Sequence, residues 1–271
     1  MSVVARAQFE GRVVGGDLGE RAPTPRLDHL HALWHRLSAQ GEDIDAVAQW
    51  EDDHHALRKA YALDPGPDLL RLRDGEVRFT VSTLGEAGAE AAGRAAQRWQ
   101  RGTHQLGPVK VRGTAVRWLT PPVVFGDLLA ARLTDSDRVV WRLETPTAVR
   151  QGNGIESPFP QPQAVFRGLD ARAVAYLGLP PLADADGPAS TFPRVSRFRL
   201  ETRLVDLGRR KFIGSVGEIF YDLRHLDAPQ RRRYQALALV AEFSGVGHAT
   251  THGMGVVRRL AVDGLALRGT P

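Results

Sequence analysis

The chain has 271 residues, of which 42% are hydrophobic and 25% are charged. This composition is typical of a folded globular protein and excludes a fibrous repeat or a long disordered chain. Cysteine is absent, which excludes a disulfide framework, a thiolate nucleophile and a cysteine-ligated metal, and fits a reducing compartment.

The N-terminal residues 1–16 lack the charged start and continuous apolar run of a signal peptide. No stretch of the sequence approaches the roughly 18 consecutive apolar residues of a membrane helix. We therefore expect a cytoplasmic protein with no membrane partner.

The net charge of +5 is unevenly distributed along the chain. Residues 194–271 hold 14 Arg and Lys against 7 Asp and Glu. A basic C-terminal third predicts a surface that binds a polyanion. The alternative is that these arginines are solvated surface side chains without a partner.

The first half of the chain predicts one ferredoxin-like domain. Its elements in chain order are a strand at 3–9, a helix at 27–37, a second helix at 44–59, a hairpin at 69–82, an alanine-rich helix at 86–99 and a strand at 109–119. Asp74 and Gly75 favour a tight type I′ turn in the hairpin. The order is the βαββαβ pattern over residues 1–121, which we expect to end at Pro121 and Pro122.

The second half repeats this order after a short helix at 125–133. A strand at 139–144, a helix at 160–178, a hairpin at 197–223, a helix at 228–243 and a final strand at 254–262 predict a second domain over residues 122–271. The expected fold class is α+β, with tandem ferredoxin-like, RRM-like domains. Residues 179–190, rich in Pro, Ala, Asp and Gly, predict an exposed loop.

The glycine-rich loop, SGVGHATTHGMG at residues 244–255, lies between the last helix and the last strand. Phosphate-binding loops of nucleotide enzymes instead precede a helix, whose N-terminal amides face the anion. Here the nearby helix end carries partial negative charge, which disfavours a nucleotide cofactor. The loop can serve as a platform for an RNA backbone, or Gly245 can simply end the helix while the other glycines shape a turn.

Three motifs carry a family resemblance. FSGVGHATTHGMGVVRR (243–259), LETPTAVRQG (143–152) followed by FPQPQAVFRGL (159–169), and KFIGSVGEIFYDL (211–223) resemble signatures of the CRISPR-associated repeat-processing endoribonucleases, members of the RAMP superfamily. HHALRKAYALDP (54–65) resembles the family more weakly. Three positions depart from the family pattern: Val149 replaces a common aromatic, Ala60 a common proline, and His248 a frequent arginine or lysine.

The resemblance implies cleavage of CRISPR precursor RNA within repeats to produce mature crRNAs. The 2′-hydroxyl is the nucleophile, the products carry a 2′,3′-cyclic phosphate and a 5′-hydroxyl, and neither a metal nor a cofactor is implied. The implied partner is CRISPR repeat RNA, as precursor and as mature crRNA. Effector-complex subunits and a second copy of the chain are further candidate partners.

The resemblance places the catalytic candidates at His54, His55 and Lys59, because His54 has the family's spacing to AYAL. Histidine suits proton transfer near neutral pH, and Lys59 can stabilise charge on the phosphate. The alternatives for EDDHH are a solvated acidic helix end or a divalent-metal site. His31 and His35 share a helix face, which favours a buried or surface structural role, and His35 is the second candidate for catalysis because this helix borders the same site in a ferredoxin-like domain.

The candidate RNA-binding residues lie at the hairpin tip and in the glycine-rich loop. They are Arg209, Arg210, Lys211, Gly245, Gly247, His248, Thr250, Thr251, His252, Gly253, Gly255 and Arg258. The family pattern gives no catalytic role to His252. Two other functions stay open: a non-cleaving RNA-binding subunit of a CRISPR effector complex, and a general ferredoxin-like interaction module.

Overall fold

We analysed a computed structural model of the chain, which describes residues 2–16, 25–39, 59–66, 72, 74–133, 135–151, 155–182, 191–207 and 211–260. Each half of the chain forms one main antiparallel sheet, with five strands in the N-terminal half and four in the C-terminal half. No helix in these ranges is long and apolar enough to cross a membrane.

The N-terminal half forms a five-stranded sheet with the strand order β2-β3-β1-β5-β4. Its elements are β1 (Val3–Gly15), α1 (Leu27–Ser38), β2 (Tyr61–Asp64), β3 (Glu76–Leu84), α2 (Glu86–Arg101), β4 (Thr103–Leu106) and β5 (Val109–Val124). The first four strands of this order form the split βαβ arrangement that the sequence predicts, and β4 adds an outer strand.

The hairpin turn at Asp74 and Gly75 is confirmed, because both residues have positive φ, 52° and 70°, as a type I′ turn requires. β3 pairs with β1 on one side and with β2 on the other, where Tyr61 lies opposite Thr83 and Asp64 opposite Thr80. The sequence analysis did not predict β2. The predicted helix at 44–59 lies outside the described residues except for Lys59, which is not helical.

The prediction that the last strand of the first domain ends before Pro121 and Pro122 is wrong, because β5 continues to Val124. Val4 pairs with Val123 and Arg6 with Thr120, so both prolines fall in a β-bulge. Proline is tolerated at a bulge because no ladder hydrogen bond is required from its missing N–H. The strand thus crosses the predicted domain boundary, and the division at 121/122 itself stays a prediction.

The C-terminal half repeats the arrangement, with the strand order β11-β6-β10-β9. Its elements are α3 (Phe125–Arg132), β6 (Arg138–Thr147), β7 (Val149–Arg150), β8 (Glu156–Ser157), α4 (Pro162–Leu177), β9 (Arg194–Asp206), β10 (Lys211–Asp222), α5 (Ala228–Ser244) and β11 (Val257–Arg259). The tandem ferredoxin-like fold is confirmed. The predicted strand beyond Leu260 and the loop at 183–190 lie outside the described residues.

The two halves pack on each other through both cores. Val4 and Leu84 of the N-terminal sheet are buried with the side chains of α4 and α5. In return, Ala148, Phe212 and Met254 of the C-terminal half are buried in the N-terminal core. This shared packing brings the segment after α5 against α1 and β2.

Candidate active site

The glycine-rich loop (244–255) begins where α5 ends. Gly245 has φ 66° and donates its N–H to Ala241, so it does end the helix, as one of the two readings predicted. The loop then makes a short 3₁₀ turn at Thr250–His252 before β11. Both the helix cap and a folded platform are therefore present in the same segment.

Two glycines hold the loop against both halves of the molecule. Gly247 has φ 80°, and a Cβ there would lie 2.2 Å from the carbonyl oxygen of Ala148. Gly253 has φ 83°, and a Cβ there would lie 2.7 Å from the Cδ of Pro65, directly after β2. A side chain at either position would push the loop away from its neighbour.

Arg172 of α4 holds the start of the glycine-rich loop in place. Its guanidinium donates to the carbonyl oxygens of Ser244 at 3.1 Å, Gly245 at 2.9 Å and Gly247 at 3.0 Å. Burial lowers the pKa of Arg172 to about 10. The guanidinium of Arg172 thus offsets the partial negative charge expected at the C-terminal end of α5.

A second arginine fixes the end of α1 in the same way. Arg98 of α2 donates to the carbonyl oxygens of Leu37 at 3.1 Å and Ala39 at 2.8 Å. Arg94 donates to the carbonyl oxygen of Ser38 at 3.1 Å. These bonds satisfy carbonyls that have no partner inside the helix, and they hold its last turn in place.

The same helix carries a histidine pair, His31 and His35, and His31 contacts the glycine-rich loop. The Nε2 atoms of His31 and His35 lie 3.0 Å apart. His31 is buried, with 8% of its surface exposed, and its Nδ1 lies 3.0 Å from the carbonyl oxygen of Thr251. The hydroxyl of Tyr61 lies 3.2 Å from both His31 Nδ1 and His35 Nε2.

The protonation of the pair follows from these contacts. A carbonyl oxygen can only accept, so Nδ1 of His31 carries a proton and donates it to Thr251. Only one proton fits between two ε nitrogens at 3.0 Å, because two facing N–H groups would repel each other. In this geometry His31 and His35 together hold at most one positive charge. Burial raises the pKa of Tyr61 well above its usual range, so its hydroxyl stays protonated.

His252 adds a third imidazole from the loop. Its ring is stacked on His31, with centroids 4.2 Å apart and an interplanar angle of 21°. The Nδ1 of His252 lies 3.3 Å from the hydroxyl oxygen of Thr251, and the side chain is half-buried. We call His31, His35, Tyr61 and His252 the histidine cluster. It contains residues from both halves of the chain.

The structure describes only part of the predicted catalytic set. His54 and His55 lie outside the described residues, and their roles stay a prediction. Lys59 is half-buried and comes two residues before Tyr61 of the histidine cluster.

The predicted RNA-binding residues differ in exposure. Lys211 and Arg258 are exposed, and Arg258 pairs with Glu144 at 3.3 Å. Buried members are Gly245, Thr250, Thr251, Gly253 and Gly255, and half-buried members are Gly247, His248 and His252. Arg209 and Arg210 lie outside the described residues. Burial indicates that Thr250 and Thr251 shape the loop.

His248 belongs to a separate polar group on the far side of the loop. Its Nε2 accepts from Arg150 at 2.6 Å, and its Nδ1 lies 3.1 Å from a carboxylate oxygen of Glu156. Arg150 and Glu156 face each other across the β7–β8 pair. At position 248 the family often has arginine or lysine. Here the neighbouring Arg150 supplies a cation beside the loop.

Sequence reasoning missed the convergence of the histidine cluster. The spacing of His31 and His35 indicated a shared helix face, but nothing in the sequence placed Tyr61 or His252 beside them. The short apolar run from Tyr61 to Leu63 was the available signal for a strand, and it is too short to be decisive.

Residues 141–257 match the sequence profile of the family "CRISPR-associated endoribonuclease Cas6", and no curated protein matched the chain. The chain is similar to a Cas6 (TTHA0078) product complex, at 23% identity and TM-score 0.73, covering 96% of this chain and 100% of that one.

Other solved structures share the fold. Thermus thermophilus Cas6 (TTHB231) is similar at 22% identity and TM-score 0.68, over 96% of this chain and 99% of that one. A Cas6-related protein from Pyrococcus furiosus is similar at 10% identity and TM-score 0.61, over 96% and 99%. Residues 141–257 thus carry the sequence profile of the CRISPR-associated endoribonuclease Cas6 family, which agrees with the resemblance of the three sequence motifs, and the whole chain shares the fold of these structures.

Proposed function

We propose that this protein is a metal-independent endoribonuclease that cleaves CRISPR precursor RNA within its repeats to produce mature crRNAs. The match of residues 141–257 to the Cas6 endoribonuclease profile supports the enzyme class, and similar solved structures include a product complex and a substrate-mimic complex. The observation that carries the mechanism is the histidine cluster, where three imidazoles and a protonated phenol meet beside the glycine-rich loop.

The reaction is an internal transesterification. The 2′-oxygen attacks the adjacent phosphorus and loses its proton to a base, while the 5′-oxygen leaves and takes a proton from an acid. The products are a 2′,3′-cyclic phosphate and a 5′-hydroxyl. Because the nucleophile belongs to the RNA, the protein needs only proton-transfer groups and donors to the phosphorane oxygens.

We assign proton transfer at this site to His35. It is half-buried, and it shares a proton with His31 through the ε nitrogens. The buried His31 is a positioning residue, since its Nδ1 is held by the carbonyl of Thr251. His54, His55 and Lys59 remain the alternative catalytic set that the family spacing predicts.

RNA binding is assigned to exposed cations of the C-terminal half of the chain. Lys211 and Arg258 are exposed cations, and Arg150 lies next to His248. With Arg209 and Arg210 they would contact phosphates, which supply affinity that weakens with salt. The glycines of the loop let an extended RNA backbone approach closely.

The test uses the purified protein with its own repeat RNA in EDTA. We expect cleavage that persists in EDTA and disappears when the nucleotide at the cut site is 2′-deoxy. Loss of cleavage in EDTA, restored by Mg²⁺, would contradict the metal-independent mechanism. Tight binding without cleavage would favour a non-cleaving subunit, and absence of binding would contradict both RNA functions.

A further inference from the structure

The strand β9 lies at one edge of the C-terminal sheet and pairs with β10 on its inner side. This pairing is regular from Arg197 to Asp206, and no other strand in the described part of the chain pairs with β9. An edge strand presents a row of unpaired N–H and C=O groups, which proteins usually protect with proline, lysine or a bulge. The segment from Arg197 to Asp206 contains none of these three, so its outer edge is open to a further strand.

One face of β9 carries exposed apolar side chains. Leu204 is 60% exposed and lies opposite Ile213 of β10, which is 54% exposed. Phe198, on the same face of β9, is 55% exposed. A strand added beside β9 would cover part of this apolar surface, and its removal from water would stabilise the pairing.

The other face of β9 carries charges that have no partner in their own sheet. Glu201 lies opposite Val216, and Arg203 lies opposite Gly214. Both charged side chains are exposed, and neither forms an ion pair with another residue that the structure describes. A strand that presents the same two charges in reverse order would pair with both, and a second copy of β9 running antiparallel is such a strand.

We infer that two copies of this chain associate by pairing their β9 strands antiparallel, with the two-fold axis at Thr202. The two C-terminal sheets then form one continuous sheet. This assembly gives the candidate second copy a defined surface on the chain, and it does not depend on the proposed cleavage.

The side chains of β9 favour an axis at Thr202. In a two-fold strand pair, residues at equal distances on either side of the axis lie opposite each other and point to the same face. The axis at Thr202 places Glu201 of each copy opposite Arg203 of the other, which gives two pairs of opposite charge. It also places Leu200 opposite Leu204, so the exposed Leu204 gains an apolar neighbour.

Each neighbouring axis brings like charges together. An axis at Leu200 places Arg197 opposite Arg203, and an axis at Phe198 places Arg197 opposite Arg199. The remaining axes place a charged residue opposite its own copy, and they lie at Arg199, Glu201 and Arg203. Because like charges directly opposite each other destabilise a strand pair, Thr202 is the position from Phe198 to Arg203 that avoids this repulsion.

RNA is the competing occupant of this strand, because Arg199 and Arg203 are exposed cations. Glu201 lies between them on the same face, and its carboxylate would repel an RNA phosphate bound there. In the strand pair the same carboxylate has a cationic partner. The charge pattern therefore favours a second copy of the chain.

Thr202→Cys tests the axis directly, because the chain contains no cysteine. Opposed residues of an antiparallel pair have Cα atoms about 4.5–5.5 Å apart, within the range of about 4.4–6.8 Å that a disulfide requires. We expect mild oxidation of the RNA-free protein to give a covalent dimer in non-reducing electrophoresis.

Ser196→Cys is the matched control for the disulfide. Ser196 is also exposed and lies on the same face of β9. Because it is six residues from the axis, its two copies would be about 40 Å apart. This variant should give no covalent dimer under the same conditions.

Charge reversal tests the register independently. Arg203→Glu places two carboxylates opposite each other at both ends of the pair, so we expect the dimer dissociation constant, measured by sedimentation velocity, to rise about 10-fold or more. Adding Glu201→Arg to this variant restores opposite charges and should restore the dimer. Arg112→Glu, which reverses an exposed strand arginine in the N-terminal sheet, should dimerise like the wild type.

Three outcomes would overturn the proposal. The first is a wild type that sediments as a monomer throughout the concentration series. The second is a dimer that tolerates Arg203→Glu and forms no disulfide through Thr202→Cys, since its interface then lies elsewhere. The third is a protein that stays monomeric while Arg203→Glu weakens its binding of repeat RNA, which would identify RNA as the occupant. Dimerisation is measured without RNA, so the proposed function is tested separately.

Discussion

The Nδ1 of His31 in α1 donates to the carbonyl oxygen of Thr251 in the glycine-rich loop across 3.0 Å. The two residues are separated by 220 positions in the sequence. This bond fixes the tautomer of His31, and through the shared ε proton it also orients His35. The site is therefore complete only when the C-terminal loop is docked on the N-terminal helix.

The histidine cluster predicts that His35 carries the chemistry. His35→Ala should lower single-turnover cleavage by about 100-fold or more, since general acid–base catalysis contributes that much, and should leave RNA affinity unchanged. His54→Ala and His55→Ala belong in the same assay. If the loss follows either of these variants and His35→Ala is active, the choice based on family spacing is correct and the assignment to His35 is wrong.

The three hydrogen bonds of Arg172 predict a large effect on the loop. Arg172→Met would leave the carbonyls of Ser244, Gly245 and Gly247 without this donor. Because an unsatisfied buried polar group costs about 1–3 kcal/mol, we expect the free energy of unfolding to fall by about 2–4 kcal/mol. Urea denaturation measures this change.

Arg167→Met in the same helix is the control for Arg172. Arg167 lies 5.7 Å from the ring centre of Phe192, a contact worth about 1 kcal/mol or less when exposed. Equal losses of stability in the two variants would show that the hydrogen bonds of Arg172 to the loop carbonyls contribute no more to stability than the contact of Arg167 with Phe192.

The contact between Gly253 and Pro65 predicts that a single methyl group disturbs the site. Gly253→Ala must adopt a positive φ and meet Pro65 at 2.7 Å, so we expect a loss of about 1–3 kcal/mol in the free energy of unfolding. Cleavage should also fall, because the carbonyl of Thr251 is displaced from His31. Thermal unfolding and the cleavage assay measure both effects.

Gly93→Ala provides the comparison. Gly93 lies in α2, where a Cβ would meet nothing within 4 Å, so alanine should stabilise the protein by about 0.5–1 kcal/mol. A Gly253→Ala variant as stable and active as Gly93→Ala would contradict the proposed docking of the loop.

Buried tyrosines predict a loss of stability at high pH. Burial raises the pKa of Tyr61 and Tyr221 well above the usual range and that of Tyr234 to about 12. The folded state therefore keeps these protons after the unfolded state has lost them, near pH 10. The stabilisation is full below that pH and declines as pH rises further.

Urea unfolding at pH 8, 10 and 11 tests this dependence, with Tyr234→Phe as the variant. We expect a smaller decline for the variant between pH 10 and 11, because phenylalanine has no proton to lose. Identical slopes for the variant and the wild type would contradict a contribution from Tyr234.

The sequence by itself determined the fold class and the family resemblance of the C-terminal half. Period-two and helical patterns, the Asp74–Gly75 turn and the repeated element order are local signals, and local signals can be recognised without knowledge of the packing. The motifs in residues 143–259 carry the resemblance, and the local signals predicted the tandem ferredoxin-like fold. They failed at Pro121 and Pro122, where a bulge in the β1–β5 pairing accommodates both prolines.

Only the tertiary structure decided which side chains share a site. His31 and His35 lie on one helix, Tyr61 on a strand and His252 in a loop near the other end of the chain. Their meeting depends on how α5 packs against the N-terminal sheet and on where Arg172 and Gly253 hold the loop. Such long-range packing has no periodic signature in a single sequence, and for that reason the histidine cluster became visible only in the folded chain.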